Sequence, residues 1–332
     1  MGHKVNPGGM ASSLTLMTCG LFPVSNFKKF SMNHSNFICL AIYLLMAMPL
    51  CAQDPENLLS LVEEDKKEKK KEFVEYPFKS PWVINSHSIA FLKPGTMDFR
   101  ILHRFGQVNQ GFKTLFGLDQ ASMRIGFDFG ILRNLMVGVG RSTYKRELDG
   151  FIKFAPLTQS TGKGSFPCTI ALLAGMTMNT AEWQDTAIHN YFSSRLNYYF
   201  QAIIGRKFSD GFTLQVMPTM IHKNLVLLPK QPNDVFAIGL GGRIKATRRI
   251  AFTWDYSYRL DTDPDDIYNN PLSLGFDIET GGHVFQLHFS NSVGMNAPTF
   301  ITETTGSWDK GDIRFGFNLS RIFQIKKQKV KV

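Results

Sequence analysis

The stretch Ile250-Ala251-Phe252-Thr253-Trp254-Asp255-Tyr256-Ser257-Tyr258 decides the fold. Its even positions are large and apolar or aromatic, and its odd positions are small or polar. A period of two is the mark of a β-strand, because successive side chains leave opposite faces. On a helix the same residues would be mixed around the whole circumference. The pattern recurs on both sides of this stretch. Met97, Phe99, Ile101 and His103 oppose Asp98, Arg100 and Leu102. Met123, Ile125, Phe127 and Phe129 oppose Arg124, Gly126 and Asp128. Leu272, Leu274, Phe276 and Ile278 oppose Ser273, Gly275 and Asp277, and Ile313, Phe315, Phe317 and Leu319 oppose Arg314, Gly316 and Asn318.

Read along the chain, this signal predicts twelve strands, at 97–104, 122–130, 133–141, 148–156, 168–178, 192–205, 211–221, 234–245, 248–260, 271–279, 283–291 and 311–323. Long connections are expected after the first, third, fifth, seventh, ninth and eleventh strands. Short ones are expected after the second, sixth, eighth and tenth, and the link 157–167 breaks the rule by being long. Long loops at one end, tight turns at the other and an even strand number describe a membrane β-barrel. A soluble barrel would point the apolar face inward and a membrane barrel points it at lipid, and alternation by itself fits either. The expected fold is an all-β, antiparallel transmembrane β-barrel of about 12 strands, with 10 or 14 as alternatives. Closure satisfies every backbone group in lipid, which an open sheet cannot do. Trp254, Tyr256 and Tyr258 suit an interfacial aromatic girdle.

The chain has 332 residues, of which 43% are hydrophobic, 13% aromatic and 19% charged. That excludes a mostly disordered chain, and the lack of repeated long apolar runs excludes a helical membrane bundle. Phe37 to Leu50 is the one long apolar run. It is too short to span a bilayer, it follows Lys28 and Lys29, and it precedes Ala52, so it reads as a secretory signal cleaved after about residue 52. Met32 is an alternative start, which would make 1–31 an upstream extension. Removal of 1–52 leaves Cys168 as the single cysteine, so no internal disulfide is expected. The expected organisation is 1–52 extension and signal, 53–96 periplasmic segment or plug, 97–323 barrel, and 324–332 basic tail. Pro81 and Pro94 mark the entry to the folded part. The net charge is +10, and +7 without residues 1–52; much of it lies in two Lys clusters, which implies no nucleic-acid partner.

Several stretches resemble a known family: His103-Arg104-Phe105-Gly106, Phe116-Gly117-Leu118-Asp119, Gly140-Arg141-Ser142, Thr280-Gly281-Gly282-His283-Val284-Phe285-Gln286-Leu287, and Gly316-Phe317-Asn318. They are similar to a family of unknown function described as a membrane-bound β-barrel of Gram-negative bacteria. The resemblance covers roughly 80–323 and implies an outer-membrane barrel. It supplies neither substrate nor catalytic residues. The last strand, Arg314 to Phe323, also resembles a barrel-assembly signal, although Arg321 breaks its apolar parity.

Candidate chemistry is sparse. His288-Phe289-Ser290-Asn291 resembles the His-x-Ser-Asn of outer-membrane phospholipases and lipid A deacylases, with His288 as base and Ser290 as nucleophile. Those enzymes point the pair at lipid, whereas parity here puts His288 with Gln286 and Ser290 on the lumen face. His283 and His288 face opposite ways and cannot share a metal, and His222 is expected in a loop. Asp261, Asp263, Asp265 and Asp266 form an acidic loop without the Gly and distal Glu of a Ca²⁺ site. Gly239-Leu240-Gly241-Gly242 lacks the spacing of a phosphate loop. No metal and no cofactor are expected. The polar face collects Arg100, Arg104, Arg124, Asp128, Asp255, Asp277, Gln286, His288 and Arg314 as a lumen network. The expected function is a non-enzymatic narrow channel, small-solute transporter or structural barrel in the outer membrane. The alternatives are a barrel-embedded lipid hydrolase and a soluble periplasmic ligand binder. The expected partners are outer-membrane lipid, the barrel-assembly machinery during insertion, and an unidentified small solute.

Overall fold

The computed structural model describes residues 70–183, 187, 189–226, 231–260 and 267–326. The barrel lies within Lys66–Val332. The signal-like run 37–50, the acidic loop 261–266 and the tail from 327 onward therefore fall outside the described residues.

The alternating segments form twelve antiparallel strands closed into one barrel. They are β1 (Thr96–Gln107), β2 (Ala121–Leu132), β3 (Leu135–Ser142), β4 (Glu147–Leu157), β5 (Thr169–Asn179) and β6 (Leu196–Lys207). They continue with β7 (Phe212–Lys223), β8 (Asp234–Lys245), β9 (Ile250–Arg259), β10 (Leu272–Thr280), β11 (His283–Ser290) and β12 (Arg314–Gln324). Each strand pairs with its sequence neighbours, and β12 pairs with β1 from Arg314↔Gln107 to Gln324↔Thr96 to close the sheet. Closure leaves no unpaired edge, which is the condition for crossing lipid with strands.

The three-dimensional arrangement decides which face is outside. Phe127, Val139, Ile152, Leu172, Phe200, Phe276 and Phe289 are each 38% exposed or more, while Asp98, Arg100, Arg104, Arg124 and Asp255 are at most 3% exposed. The apolar face is therefore outward and the polar face lines the lumen, the inverted arrangement of a membrane barrel. Tyr198, Tyr256 and Tyr258 sit on this outer face near the long-loop end.

Two connections differ from expectation. The link after β3 is short, with a 3-10 turn at Tyr144–Arg146, although a long loop was predicted there. Residues Phe192–Arg195 form a 3-10 turn ahead of β6 rather than extending the strand. The long link after β4 has a structural cause: Ser160–Thr161 pairs with Glu72–Phe73 in a small ribbon at the short-turn end. At the two-residue turn between β10 and β11, Gly281 and Gly282 have φ of 56° and 142°, values that a side chain disfavours, and this permits the direct return.

Candidate functional site

The lumen is filled by the chain itself. From the ribbon strand Glu72–Phe73 the backbone enters at the short-turn end, where Thr213 donates to the Pro77 carbonyl at 2.8 Å. It turns back at Val83–Ser88, where Val83 N–H donates to Ser86 O at 2.8 Å and Ser88 N–H to Pro81 O at 2.8 Å. It leaves through Gly95, which donates to Gly130 O at 2.9 Å, and runs into β1. Every residue from Ser80 to Ala90 is buried.

The wall holds this turn with side chains. Asp255 on β9 accepts from the backbone N–H of Asn85 at 2.9 Å and of Ser86 at 2.7 Å, and from Ser86 Oγ at 2.5 Å. Such charge-assisted bonds are roughly twice as strong as neutral ones. Arg104 donates to Asn85 Oδ1 at 2.5 Å and to Asn318 Oδ1 at 3.1 Å. Asn318 donates to Ile84 O at 3.0 Å, and Gln286 donates to Val83 O and, at 2.9 Å, to Asp277. Lys153 donates to the carbonyls of Ser88 and Ala90, both at 2.8 Å. Gln215 donates to His87 O at 2.7 Å and accepts from Ile89 N–H at 2.9 Å.

Trp82 is the anchor at the other side of the turn. Its indole N–H donates to Asp128 at 2.7 Å, and the guanidiniums of Arg100 and Arg124 lie 5.5 and 5.2 Å from its ring. Arg124 grips Asp149 with two bonds, at 2.8 and 2.5 Å, and Arg100 pairs with Asp98 at 3.0 Å. Gly140 makes room for this: a Cβ there would lie 2.3 Å from Arg124 Nη2.

A second insert comes from the long loop after β11. It carries a short helix, α1 (Ala297–Thr302), all of whose residues are buried. Asn296 caps it by accepting from Thr299 N–H, and its amide donates to Glu147 at 2.7 Å. Ala297, Phe300 and Ile301 share one packed cluster with Trp82 and Leu92 and with Met136, Phe151, Leu173, Tyr199, Ile221 and Ala237 of the wall. The lumen wall is thus uneven: polar from β9 round to β2, and mixed over β3–β8, where Met136, Phe151, Leu173 and Ile221 stand among Asp149, Lys153, Gln201 and Gln215. The expected polar lumen therefore also has apolar patches, and these pack the inserts.

Glu303, just past α1, sits between two ammonium groups, with Lys145 at 2.5 Å and Lys223 at 2.9 Å. Burial would raise the Glu303 carboxyl, but Lys223 and Lys145 outweigh it and hold it below the usual carboxylate range. Burial would likewise lower Lys145, yet Glu303 outweighs that and raises it.

The structure gathers most of the predicted lumen residues around the N-terminal segment. Arg100, Arg104, Arg124, Asp128, Asp255, Asp277, Gln286 and His288 are all buried. Arg314 is half-buried beside a bulge of β12, and its guanidinium reaches Phe105 O at 3.3 Å instead. Sequence reasoning missed Lys153, Gln215, Asn318 and the Lys145–Glu303–Lys223 group. Period-two parity offered the first three as inward residues; the last group has no such signal, because its members lie on a turn, a strand end and a loop. His288 faces the lumen, 0% exposed, and among the described residues neither ring nitrogen has a hydrogen-bond partner. Ser290 is hydrogen-bonded to Ser273 at 2.8 Å, and Asn291 accepts from Leu272 N–H at 2.8 Å while donating to the carbonyls of Asn270 and Gly306. His288 and Ser290 are thus not hydrogen-bonded to each other, and Ser290 and Asn291 are committed to structure. His222, expected in a loop, lies on β7 with Asp234 at 2.7 Å. Gly241 gives Val83 of the lumen segment its space, since a Cβ there would stand 3.3 Å from it.

Two of the family-like motifs touch. Gly106 N–H donates to Gly117 O at 2.8 Å, and a Cβ on Gly117, whose φ is +86°, would lie 2.5 Å from the Gly106 carbonyl carbon. Asp119 N–H closes the same turn onto Thr114 O at 3.3 Å. Gly117→Ala is expected to destabilise the barrel by about 1–3 kcal/mol. The measure is the urea midpoint of unfolding in detergent, and an unchanged midpoint would contradict the close contact.

Residues 78–323 match the family described as a membrane bound beta barrel domain, DUF5777. The chain belongs to this family. The DUF5777 match begins at Phe78, the first buried residue of the lumen segment, so that segment is part of the family domain and not an appendage. Among solved structures, the NanC porin aligns at 8% identity with a TM-score of 0.43, over 70% of this chain and 100% of that one. The KdgM porin aligns at 8% identity and 0.42, over 69% and 99%. The toluene transporter TodX of Pseudomonas putida aligns at 11% identity and 0.22, over 61% and 48%. No curated protein matches the sequence.

Proposed function

We propose that this protein is a non-enzymatic outer-membrane channel or transporter for small solutes, shut at rest by two removable inserts. The observation that carries the reading is how the N-terminal segment is held. Between Trp82 and Leu92 its bonds to the wall run to side chains, those of Asp255, Arg104, Asn318, Gln286, Gln215, Lys153 and Asp128. Side-chain bonds break one at a time, at about 0.5–1.5 kcal/mol net for neutral pairs and about 1.5–3 kcal/mol where one group is charged. The segment can therefore leave without unzipping any ladder of the barrel. In this reading Phe37 to Leu50 directs export with cleavage after about Ala52, the short turns face the periplasm, and β12 is presented to the barrel-assembly machinery. A lumen-facing His288 and committed Ser290 and Asn291 speak against the lipid hydrolase.

The test is conductance of the full exported chain in planar bilayers. The wild type is expected to be mostly closed. Glu303→Gln removes both ion pairs of the loop insert, and hydrogen bonds to charged groups are worth about 1.5–3 kcal/mol each. Open time is expected to rise about ten- to a hundredfold. Acid should act in the same direction. A carboxyl whose folded pKa is depressed contributes its stability above the unfolded value, about 4.3, and loses it as pH falls through the folded value. Conductance is therefore expected to rise as pH drops below about 4.3 in the wild type and to lose that dependence in Glu303→Gln. If neither acid nor the substitution opens the barrel, it is a structural barrel and not a channel.

A further inference from the structure

The short-turn end of the barrel carries Lys93, Arg133, Lys245, Arg248 and Arg249, while Lys79 and Lys207 there are ion-paired with Glu279 and Asp210. One place on this rim is more than a charged surface. A cavity of about 300 Å³ opens between the Arg133-Asn134 turn, the end of β4 and the ribbon strand Glu72–Phe73. Lys71 and Arg133 line it together with Phe73, Pro156, Leu157 and Phe166. The Arg133 guanidinium stacks 3.8 Å from the Phe73 ring centroid, and Lys71 Nζ lies 5.6 Å from the same ring. No acidic side chain lines the cavity, and among the described residues neither cation is ion-paired. Immediately beside it the lipid-facing surface continues through Ile131, Leu132 and Phe154, which are 49, 54 and 42% exposed.

We propose that this cavity binds the headgroup of an anionic phospholipid of the short-turn-side leaflet. The phosphate would take the N–H groups of Arg133 and Lys71, and an acyl chain would continue over Leu157 and the exposed apolar residues next to it. Charge complementarity selects an anion, since a guanidinium stacked on a ring keeps its in-plane N–H groups free for phosphate oxygens. The adjoining apolar strip selects a lipid over free phosphate. Cations flanking an apolar band are the usual mark of contact with an anionic leaflet. Because Phe73 belongs to the chain that leads into the lumen and Arg133 belongs to the wall, one bound lipid joins the two. The inference rests on the membrane orientation proposed above, but not on channel activity.

The test is native mass spectrometry of the full exported chain released from vesicles of equal phosphatidylglycerol and phosphatidylcholine. The wild type is expected to retain one phosphatidylglycerol at least tenfold more often than phosphatidylcholine. Lys71→Gln with Arg133→Gln should remove that preference, and Arg248→Gln with Arg249→Gln on another turn should leave it. Both target side chains are exposed, and heat-modifiable gel mobility on the same sample confirms a folded barrel. Equal retention by the wild type and the Lys71/Arg133 variant overturns the proposal, as does displacement of the lipid by 10 mM inorganic phosphate, roughly the Debye-screening regime of low salt. Bilayer conductance of the same variant is read separately, so a failure of the lipid site and a failure of the channel reading are told apart.

Discussion

Asp255→Ala is expected to release the lumen segment while leaving the barrel closed. Asp255 holds the turn at Asn85 and Ser86 by accepting three hydrogen bonds, two from backbone N–H groups and one from a hydroxyl. Hydrogen bonds to a charged group are worth about 1.5–3 kcal/mol each. Its loss also loosens Arg104, which reaches the same turn through Asn85 Oδ1. The β9 backbone keeps its ladders to β8 and β10, from Ala251↔Lys245 and Ala251↔Asp277 upward, so the sheet itself loses nothing. Hydrogen exchange over residues 81–92 should accelerate by at least a hundredfold, with conductance rising in parallel and heat-modifiable mobility retained. Asp255→Asn, which keeps one acceptor oxygen, should fall between. Unchanged protection across 81–92 in Asp255→Ala would show that the apolar cluster around Trp82 holds the segment by itself.

Arg124→Ala is expected to damage the barrel rather than the insert alone. Arg124 is fully buried, holds Asp149 with two bonds and covers the Trp82 ring. Truncating it leaves Asp149 without its cation inside a wall that also contains Asp128, and about 3–5 kcal/mol is the usual cost of breaking such a pair. Urea unfolding in detergent should shift accordingly, and less folded barrel should be recovered after refolding. Replacing both partners removes the unpaired charge. Arg124→Met with Asp149→Leu is therefore expected to regain most of the loss, because well-packed apolar pairs often match buried ion pairs in stability. A double variant as unstable as Arg124→Ala would mean that Arg124 acts mainly through Trp82, and Trp82→Phe would then reproduce the defect.

Much of the barrel was legible in residues. Twelve strands follow from a period of two, since each strand crosses a two-sided wall and needs unlike residues on its two faces. The turn Gly281-Gly282 was readable because both residues take positive φ, which glycine adopts without strain. Most of the inward charges were readable by parity alone: Arg100, Arg124, Asp255 and Asp277 alternate with large apolar neighbours. Parity failed where local geometry departs from the ladder. Arg314 stands beside a bulge, and the link after β3 is short because a 3-10 turn at Tyr144–Arg146 closes it, Arg146 N–H returning to Thr143 O at 3.2 Å.

The strand period and an even strand number near twelve were readable from the residues, because each rests on the local alternation within a strand. Closure was an expectation that only the pairing of β12 with β1, from Arg314↔Gln107 to Gln324↔Thr96, completes. Three things were decided by tertiary structure alone. One is which face meets lipid, because alternation is unchanged when inside and outside are exchanged. Another is that the segment expected as a periplasmic lead-in or a plug fills the lumen with Ser80 to Ala90. Trp82 to Leu92 has no period, and its partners lie far along the chain: Asn85 and Asp255 are 170 residues apart, and Ile84 and Asn318 are 234 apart. The third is the ion-paired group at Glu303, whose cations come from two other elements 158 and 80 residues away. A polar residue facing a lumen carries the same letter whether it meets water or an inserted turn, and only closure of the barrel brings that turn within hydrogen-bonding distance.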